Sequence, residues 1–457
     1  MHPANRGTAV TDTTPTLRDH ARAIWQAAVD AADPVELIRD ALTNPPPDLR
    51  DALAHARRIL IVGGGKAGAL MAAGAEAALA GQLDRVTGFV NVPAGAVRPL
   101  RAIRLHAARP DGSNHPTEEG VAGVREILAL VRTATPDDLC LCLLSGGGSA
   151  LLPAPADGIS LEDKQQVTQM LHACGATIGE MNCVRKHLSA FKGGRLAEAF
   201  FAAGGRRLLT LVISDVVGDP LDVIASGPTV PDPTTFADSL AVLERHSLLS
   251  RVPAAVREHL RLGRDGGIPD TPKVLPEGAS TLVIGNNSRS LNAAGRTAEA
   301  LGYPVLNLGS FIEGETRHVA VALSGIVRSV QTDKRPRPAP LCILSGGETT
   351  VSLGPDHGRG GRNQEFVLAA ALHLGEKGLR DVVVLSGGTD GEDGPTDVAG
   401  ALADADTLEC AARLGRDPVT ALARHDAYAV FNDTGDLLRT GLTGTNVMDV
   451  RVILVGK

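Results

Sequence analysis

Ser-Gly-Gly occurs three times in this chain, each time directly after a short apolar run. Ser145-Gly146-Gly147 follows 139–144, Ser345-Gly346-Gly347 follows 341–344, and Ser386-Gly387-Gly388 follows 382–385. A fourth run, 58–62, ends in Gly63-Gly64-Gly65-Lys66-Ala67-Gly68. Turns of this kind at a helix start gather backbone N–H groups, and Lys66 adds a full charge inside one of them, which suits phosphate or carboxylate. The plain alternative is glycine used for backbone geometry alone, with Lys66 in solvent. GxxxxGK[ST] is not matched, so this is no Walker A loop. Gly63, Gly65 and Gly68 fit GxGxxG, but a dinucleotide fold needs an acid closing the next strand, and 86–92 closes on Asn91-Val92-Pro93. A nucleophile elbow reads G-x-S-x-G, whereas these serines precede their glycines.

Cations and carboxylates accompany the turns. Arg359 and Arg362 alternate with Gly358, Gly360 and Gly361, so backbone and guanidinium groups could approach one phosphate together. Asn363-Gln364-Glu365 then opens an apolar helix, which aims that loop at a helix N-terminus. Segment 182–195 carries Arg185, Lys186, His187, Lys192 and Arg195, and helical spacing would put Arg185 and Lys192 two turns apart on one face. A solvated basic face is the competing reading. Asp215 and Asp219 follow one buried strand, and Asp390, Glu392 and Asp393 follow another. Carboxylates at strand ends suit Mg²⁺, which takes one or two of them with phosphate oxygens and water, or a general base for a hydroxyl. Solvated turn aspartates are their alternative; Asp215, with only Ser214 between it and its strand, fits that alternative least. Gly64, Gly65, Gly148, Ser149 and Glu348 complete the candidate phosphate-binding turns, and Asn286 stands just past the strand at 281–284.

The elements that must position these residues are short continuous apolar strands alternating with helices. That pattern implies α/β architecture, with mainly parallel sheets covered on both faces and ligands beyond the carboxyl ends of the strands. The strands are too many for one sheet, so two Rossmann-like domains are expected, 16–260 and 279–457, joined by the Gly/Pro-rich stretch 261–278. Residues 1–15 are polar and expected to be disordered. A net charge of −7 and 2% aromatic residues speak against a nucleic-acid partner. No apolar run approaches the ~20 residues of a membrane span, and the N-terminus has no signal-peptide core, so a cytoplasmic protein is expected. The six cysteines show no zinc-ligand spacing and read as reduced, mostly buried thiols.

The motifs GGGKAG (63–68), HPTEEG (115–120), SGGGSALLPAP (145–155), GATIGEMNCVRKHLSAFKGGRLA (175–197), SDVVGDPLDVIASGPTVPDP (214–233) and GNNSRSLNAA (285–294) together resemble the glycerate 2-kinases. The stretches 345–366 and 386–401 resemble that family's C-terminal MOFRL domain, expected over about 338–450. Members often carry the label hydroxypyruvate reductase. The resemblance spans about 20–455. It implies two α/β domains with an active-site cleft between them, and phosphorylation of D-glycerate by ATP with Mg²⁺ to give 2-phosphoglycerate. It also implies active-site roles for Lys66 and for Arg362, with Arg359 the close alternative. Asp215 is expected to act on the 2-hydroxyl or to hold Mg²⁺, with Asp390 a second candidate metal ligand. The competing functions are an NAD(P)H-dependent hydroxypyruvate reductase and a non-catalytic small-acid-binding protein. A homodimer is left open.

Overall fold

The computed structural model describes residues 16–113 and 115–456; the disorder expected for 1–15 lies outside the described residues. Two compact units emerge. One takes Val29–Ser290 with Leu442–Asp449; the other takes the chain up to Ala28, Leu291–Gly441 and Val450–Lys457.

The first unit is built on six strands: β1 (Arg58–Gly64), β2 (Val86–Pro93), β3 (Ile103–Arg109), β4 (Asp138–Leu144), β5 (Arg207–Ile213) and β6 (Ala279–Gly285). They pair in the order β3-β2-β1-β4-β5-β6, parallel throughout. Successive side chains of a strand point to opposite faces. Ile59 and Ile61 of β1 accordingly join one buried layer with Leu37, Met71 and Ala75, while Leu60 and Val62 join the other with Ile127, Phe191 and Phe200. Both faces of the sheet are covered, which is why β1 and β4 read as unbroken apolar runs. A third cluster, with Val167, Leu171, Val184, Phe236, Leu243 and Leu260, packs the helices Leu161–Ala173, Ile178–His187, Phe236–Arg245 and Ala254–Arg264 together.

The second unit holds β7 (Val305–Asn307), β8 (Gly314–Glu315), β9 (Leu341–Gly347), β10 (Thr349–Thr350), β11 (Val382–Gly388), β12 (Gly400–Ala403), β13 (Leu437–Leu438) and β14 (Asp449–Val455). Six of these form a sheet in the order β13-β12-β11-β14-β9-β7, and β8 pairs with β10. The β11–β12 and β12–β13 pairs are antiparallel and β7–β9 is parallel. The helix Arg362–Gly378 is buried along most of its length against this sheet.

The partition differs from the one expected at 279. Strand β6 hydrogen-bonds to β5, so 279–290 belong with the first sheet. The N-terminal helix joins the second unit because Arg18 pairs with Asp404 and, at 2.6 Å, with Asp436, while buried Trp25 donates Nε1–H to the Gly387 carbonyl at 3.2 Å. All six cysteines are free thiols; Cys140, Cys142, Cys183 and Cys342 are buried, and burial pushes the Cys142 thiol up to about 12. Among the described residues no helix is long and apolar enough to cross a membrane.

Candidate active site

In an open parallel sheet, ligands sit where the strand order reverses, beyond the carboxyl ends. In the first unit that point lies between β1 and β4, whose ends carry Gly63–Gly68 and Ser145–Ser149. The two turns are latched to each other. Lys66 N–H donates to the Gly146 carbonyl at 2.8 Å, Ala67 N–H to Ser145 Oγ at 3.1 Å, and Ser145 N–H to the Gly64 carbonyl at 3.4 Å. Gly65 N–H goes to the Asn91 carbonyl and Gly148 N–H back to the Ser145 carbonyl. The N–H groups of Gly65, Ser145 and Gly148, expected to face an anion, are therefore spent on protein carbonyls, those of Ser145 and Gly148 within the turns and that of Gly65 on β2. Side chains carry the charge at this site.

Those side chains crowd onto glycine. A Cβ on Gly146 would lie 2.1 Å from Asp215 Oδ2, so only glycine admits the carboxylate there. Gly147 has φ of +74°, and its Cβ would stand 3.3 Å from Lys66 Cγ and 3.5 Å from Arg109 Nη2. One turn thus has a carboxylate against one residue and two cations against the next. Asn446, returning on the segment Leu442–Asp449, donates Nδ2–H to Asp215 Oδ2 at 3.4 Å. Burial lowers the Arg109 guanidinium below its ordinary range against the opposing effect of Asp111. Gly147→Val places a branched side chain at a left-handed φ and against both cations; it is expected to lower kcat at least about tenfold, with a strain of roughly 1–3 kcal/mol visible as a lowered Tm.

Of the basic segment, Arg185 and Lys192 line one cavity and Arg195 lines a separate one. Lys186 is buried between Asp222 (3.1 Å) and Asp232 (3.3 Å), His187 contacts Asp270, and Arg195 donates to the Pro269 carbonyl. Lys192 is not on the helical face expected for it. The helix ends at His187, and Gly193 and Gly194 adopt φ of +61° and +82°, which turns the chain. Lys192 Nζ then donates to the carbonyls of Ser149 (3.1 Å) and Ala225 (3.3 Å). Ala225 and Ser226 both hold left-handed φ, +50° and +60°, a strain this clamp and the Ser226–Asn182 hydrogen bond hold in place. Asn286 donates to Asp219 Oδ2 at 2.6 Å and accepts from Arg289 N–H, so its side chain braces a loop.

In the second unit Ser345 is buried, and Gly346 N–H is spent on the Gly309 carbonyl. Gly347, at φ +115°, packs against the Ile312 backbone. The two arginines of the glycine loop separate clearly. Arg359 stacks 4.0 Å over the Tyr428 ring and bridges to Asp397, while its backbone is bonded to Asp426 and Tyr428. Arg362, about one-third exposed, pairs with Glu348 at 2.8 Å. The helix start is capped by Asp393, which accepts from the backbone and side-chain N–H groups of both Asn363 and Gln364. Asp393 is buried in this role, unlike Asp390 and the exposed Glu392. Asp393→Ala removes the shared acceptor of four N–H groups and is expected to cost about 2–4 kcal/mol in urea denaturation. Among the described residues no group of three His, Cys, Asp or Glu side chains is arranged to hold a metal.

Sequence reasoning passed over Arg109, Asn446 and Lys164. Arg109 closes β3 just before Pro110, a strand-end signal of the kind that singled out Asp215. Asn446 sits in a Gly/Thr-rich segment that gives no sign of returning to the first sheet.

The fold and these side chains define a mainly parallel α/β protein whose first unit presents cations and a carboxylate around one glycine turn at a topological switch point. Residues 20–261 match the domain described as a domain of unknown function, DUF4147, and 341–449 match the MOFRL family. The chain is 42% identical to an Agrobacterium vitis protein labelled putative hydroxypyruvate reductase, over 96% of this chain and 95% of that one. It is 37% identical to the glycerate 2-kinase of Pyrococcus horikoshii, over 87% of each. The crystal structure of Thermotoga maritima glycerate kinase superposes with a TM-score of 0.85 at 35% identity, covering 96% of this chain and 99% of that one. The chain belongs to the glycerate 2-kinase family.

Proposed function

We propose that the protein transfers the γ-phosphoryl group of ATP to the 2-hydroxyl of D-glycerate, giving 2-phosphoglycerate and ADP. The observation that carries this reading is the Gly146–Gly147 turn, with Asp215 packed against one glycine and Lys66 and Arg109 against the other. Phosphoryl transfer asks a protein for positioning and for neutralisation of charge on the moving group. Asp215 accepts the proton of the 2-hydroxyl or orients it, and the Asn446 amide fixes the carboxylate. Lys66 and Arg109 offset negative charge on the transferring group. In the second unit Arg362 keeps a part-exposed guanidinium beside Glu348, whereas Arg359 fixes its loop.

Mg²⁺ fits a single carboxylate here, since it takes one or two together with phosphate oxygens and water, and needs no all-protein cage. Asp215 would hold it, with Asp390 the second candidate, and it would supply charge neutralisation on the phosphates. A nicotinamide-dependent reductase fits less well. At the end of β2, where the ribose-binding acid would stand, buried Asn91 donates to the carbonyls of Gly120 and Leu151.

The test is ³¹P NMR of the product from D-glycerate and Mg-ATP. Phosphate on the 2-oxygen couples to one carbon-bound proton and gives a doublet, while the 3-isomer gives a triplet. A doublet supports the proposal. A triplet, or NADH oxidation by hydroxypyruvate in place of ADP formation, overturns it.

A further inference from the structure

A cavity of about 320 Å³ opens beside the Ser145–Ser149 turn, within the first unit. Lys164, Arg185 and Lys192 all line it. Lys164 is only 8% exposed and Lys192 only 3%. Among the described residues none of the three has a carboxylate within ion-pair distance. Lys164 Nζ reaches the Ala154 carbonyl at 3.4 Å, Lys192 Nζ the carbonyls of Ser149 and Ala225, and Arg185 Nη2 the His172 ring nitrogen at 3.4 Å. The neighbouring Lys186 shows the contrast: equally buried, it has two aspartates. Buried charges in proteins are paired, so three cations sharing one cavity without an acid mark a place where the counter-charge comes from a ligand.

We propose that this cavity holds the phosphate chain of the nucleotide, with Lys164, Arg185 and Lys192 as its charge partners. The inference rests on the kinase reading above and assigns the nucleotide to the first unit. Charge favours a polyphosphate, because the single carboxylate of a three-carbon acid would leave most of the cationic charge buried and unbalanced. Size agrees: the volume lies at the lower end of the ~300–1,000 Å³ of sites for larger small molecules, and Pro116, Pro153 and Leu161 add apolar wall beside the cations. Position agrees too. Ser149, whose carbonyl accepts from Lys192 Nζ, belongs to the same turn as Gly147, against which Lys66 and Arg109 pack. The cavity therefore adjoins the turn that carries the proposed transfer point.

The proposal carries a proton with it. Burial, then the nearby Arg185 charge, pushes the Lys164 amine down to about 7; burial, Lys164 and Arg185 lower Lys192 well below its ordinary value. The groups facing Lys164 around the cavity are Arg185, Lys192, His172 and His115, none of them acidic. An entering anion favours the charged amine, so binding between about pH 7 and the amine's ordinary range takes up a proton.

The experiment is calorimetric titration of ADP, with inorganic tripolyphosphate as competitor, into the full chain and its Lys164→Met, Lys164→Arg and Arg185→Gln variants. Buffers of different ionisation enthalpy near pH 8 report the proton count. Expected is a loss of ADP affinity of at least about tenfold in Lys164→Met and Arg185→Gln, as for a lost charge-assisted contact, with tripolyphosphate displacing ADP. Proton uptake should fall in both Lys164 variants to the part that Lys192 contributes, while Lys164→Arg keeps affinity within about threefold, since it keeps the charge. The Arg variant also controls for folding. Unchanged ADP affinity in Lys164→Met and Arg185→Gln overturns the inference. So does a raised KM for D-glycerate with KM for ATP unchanged, which would make the cavity the acid's site. ADP binding that depends on Lys164 without any phosphoryl transfer to glycerate would instead defeat the kinase reading and leave the nucleotide site standing.

Discussion

Lys66→Ala is expected to lower kcat by about 10²- to 10³-fold, the range found when one donor to a developing charge is removed. The physical reason is local. The Lys66 backbone N–H latches the turn to the Gly146 carbonyl, and alanine keeps that bond. What disappears is the ammonium whose stem packs against Gly147. The turn, the latch and the buried strands β1 and β4 all persist, so Tm should change little while turnover collapses. KM for D-glycerate should move far less than kcat, because the lost charge acts on the transferring phosphoryl. Near-normal turnover in this variant would remove Lys66 from the mechanism.

The second large effect is Asp215→Asn, expected to reduce kcat by about 10²- to 10⁴-fold, as for loss of a positioned general base. The amide has the shape of the carboxylate and still fits against Gly146, where a Cβ would already collide with Oδ2. Repacking is therefore not the cause of the loss. Asn446 stays within reach of the new side chain, and Asn446→Ala should lower kcat less, since it removes one partner of Asp215 and leaves the carboxylate in place. A Mg²⁺ titration separates the two roles open to Asp215. If the variant stays slow at high Mg²⁺, the carboxylate acts on the 2-hydroxyl. If added Mg²⁺ restores turnover, it is a metal ligand.

Much of the fold was legible because it is local. The runs ending at Val62, Leu144 and Ile213 are strands since nearly every residue in them is buried, and the glycine clusters that follow the first two mark the carboxyl ends where ligands collect. Strand order was not legible. Adjacency of β1 and β4, which brings Lys66 and Ser145 together, joins residues about eighty positions apart and depends on pairing that no local pattern records. The same long-range return hid Asn446 and placed β6 and the N-terminal helix in units other than those expected. Ser145 and Gly65 looked like anion ligands because a glycine turn has N–H groups to offer; what the sequence could not show is that the Ser145 N–H goes to the facing turn at Gly64 and the Gly65 N–H to the Asn91 carbonyl on the neighbouring strand. Arg359 and Arg362 are indistinguishable by spacing, and only Tyr428 and Asp397, held against the loop from farther along the chain, set the first apart. Lys164 lies on a helix whose pattern reads as an ordinary polar face, and its burial comes from the helices packed around it.

The most direct measurement of the central claim is turnover of D-glycerate with Mg-ATP, coupled to enolase and pyruvate kinase in the absence of phosphoglycerate mutase. Enolase accepts only the 2-phosphate, so pyruvate formation that depends on both substrates, and that falls with Lys66→Ala, is the predicted result. ADP release without pyruvate would place the phosphoryl group on another oxygen and contradict the account.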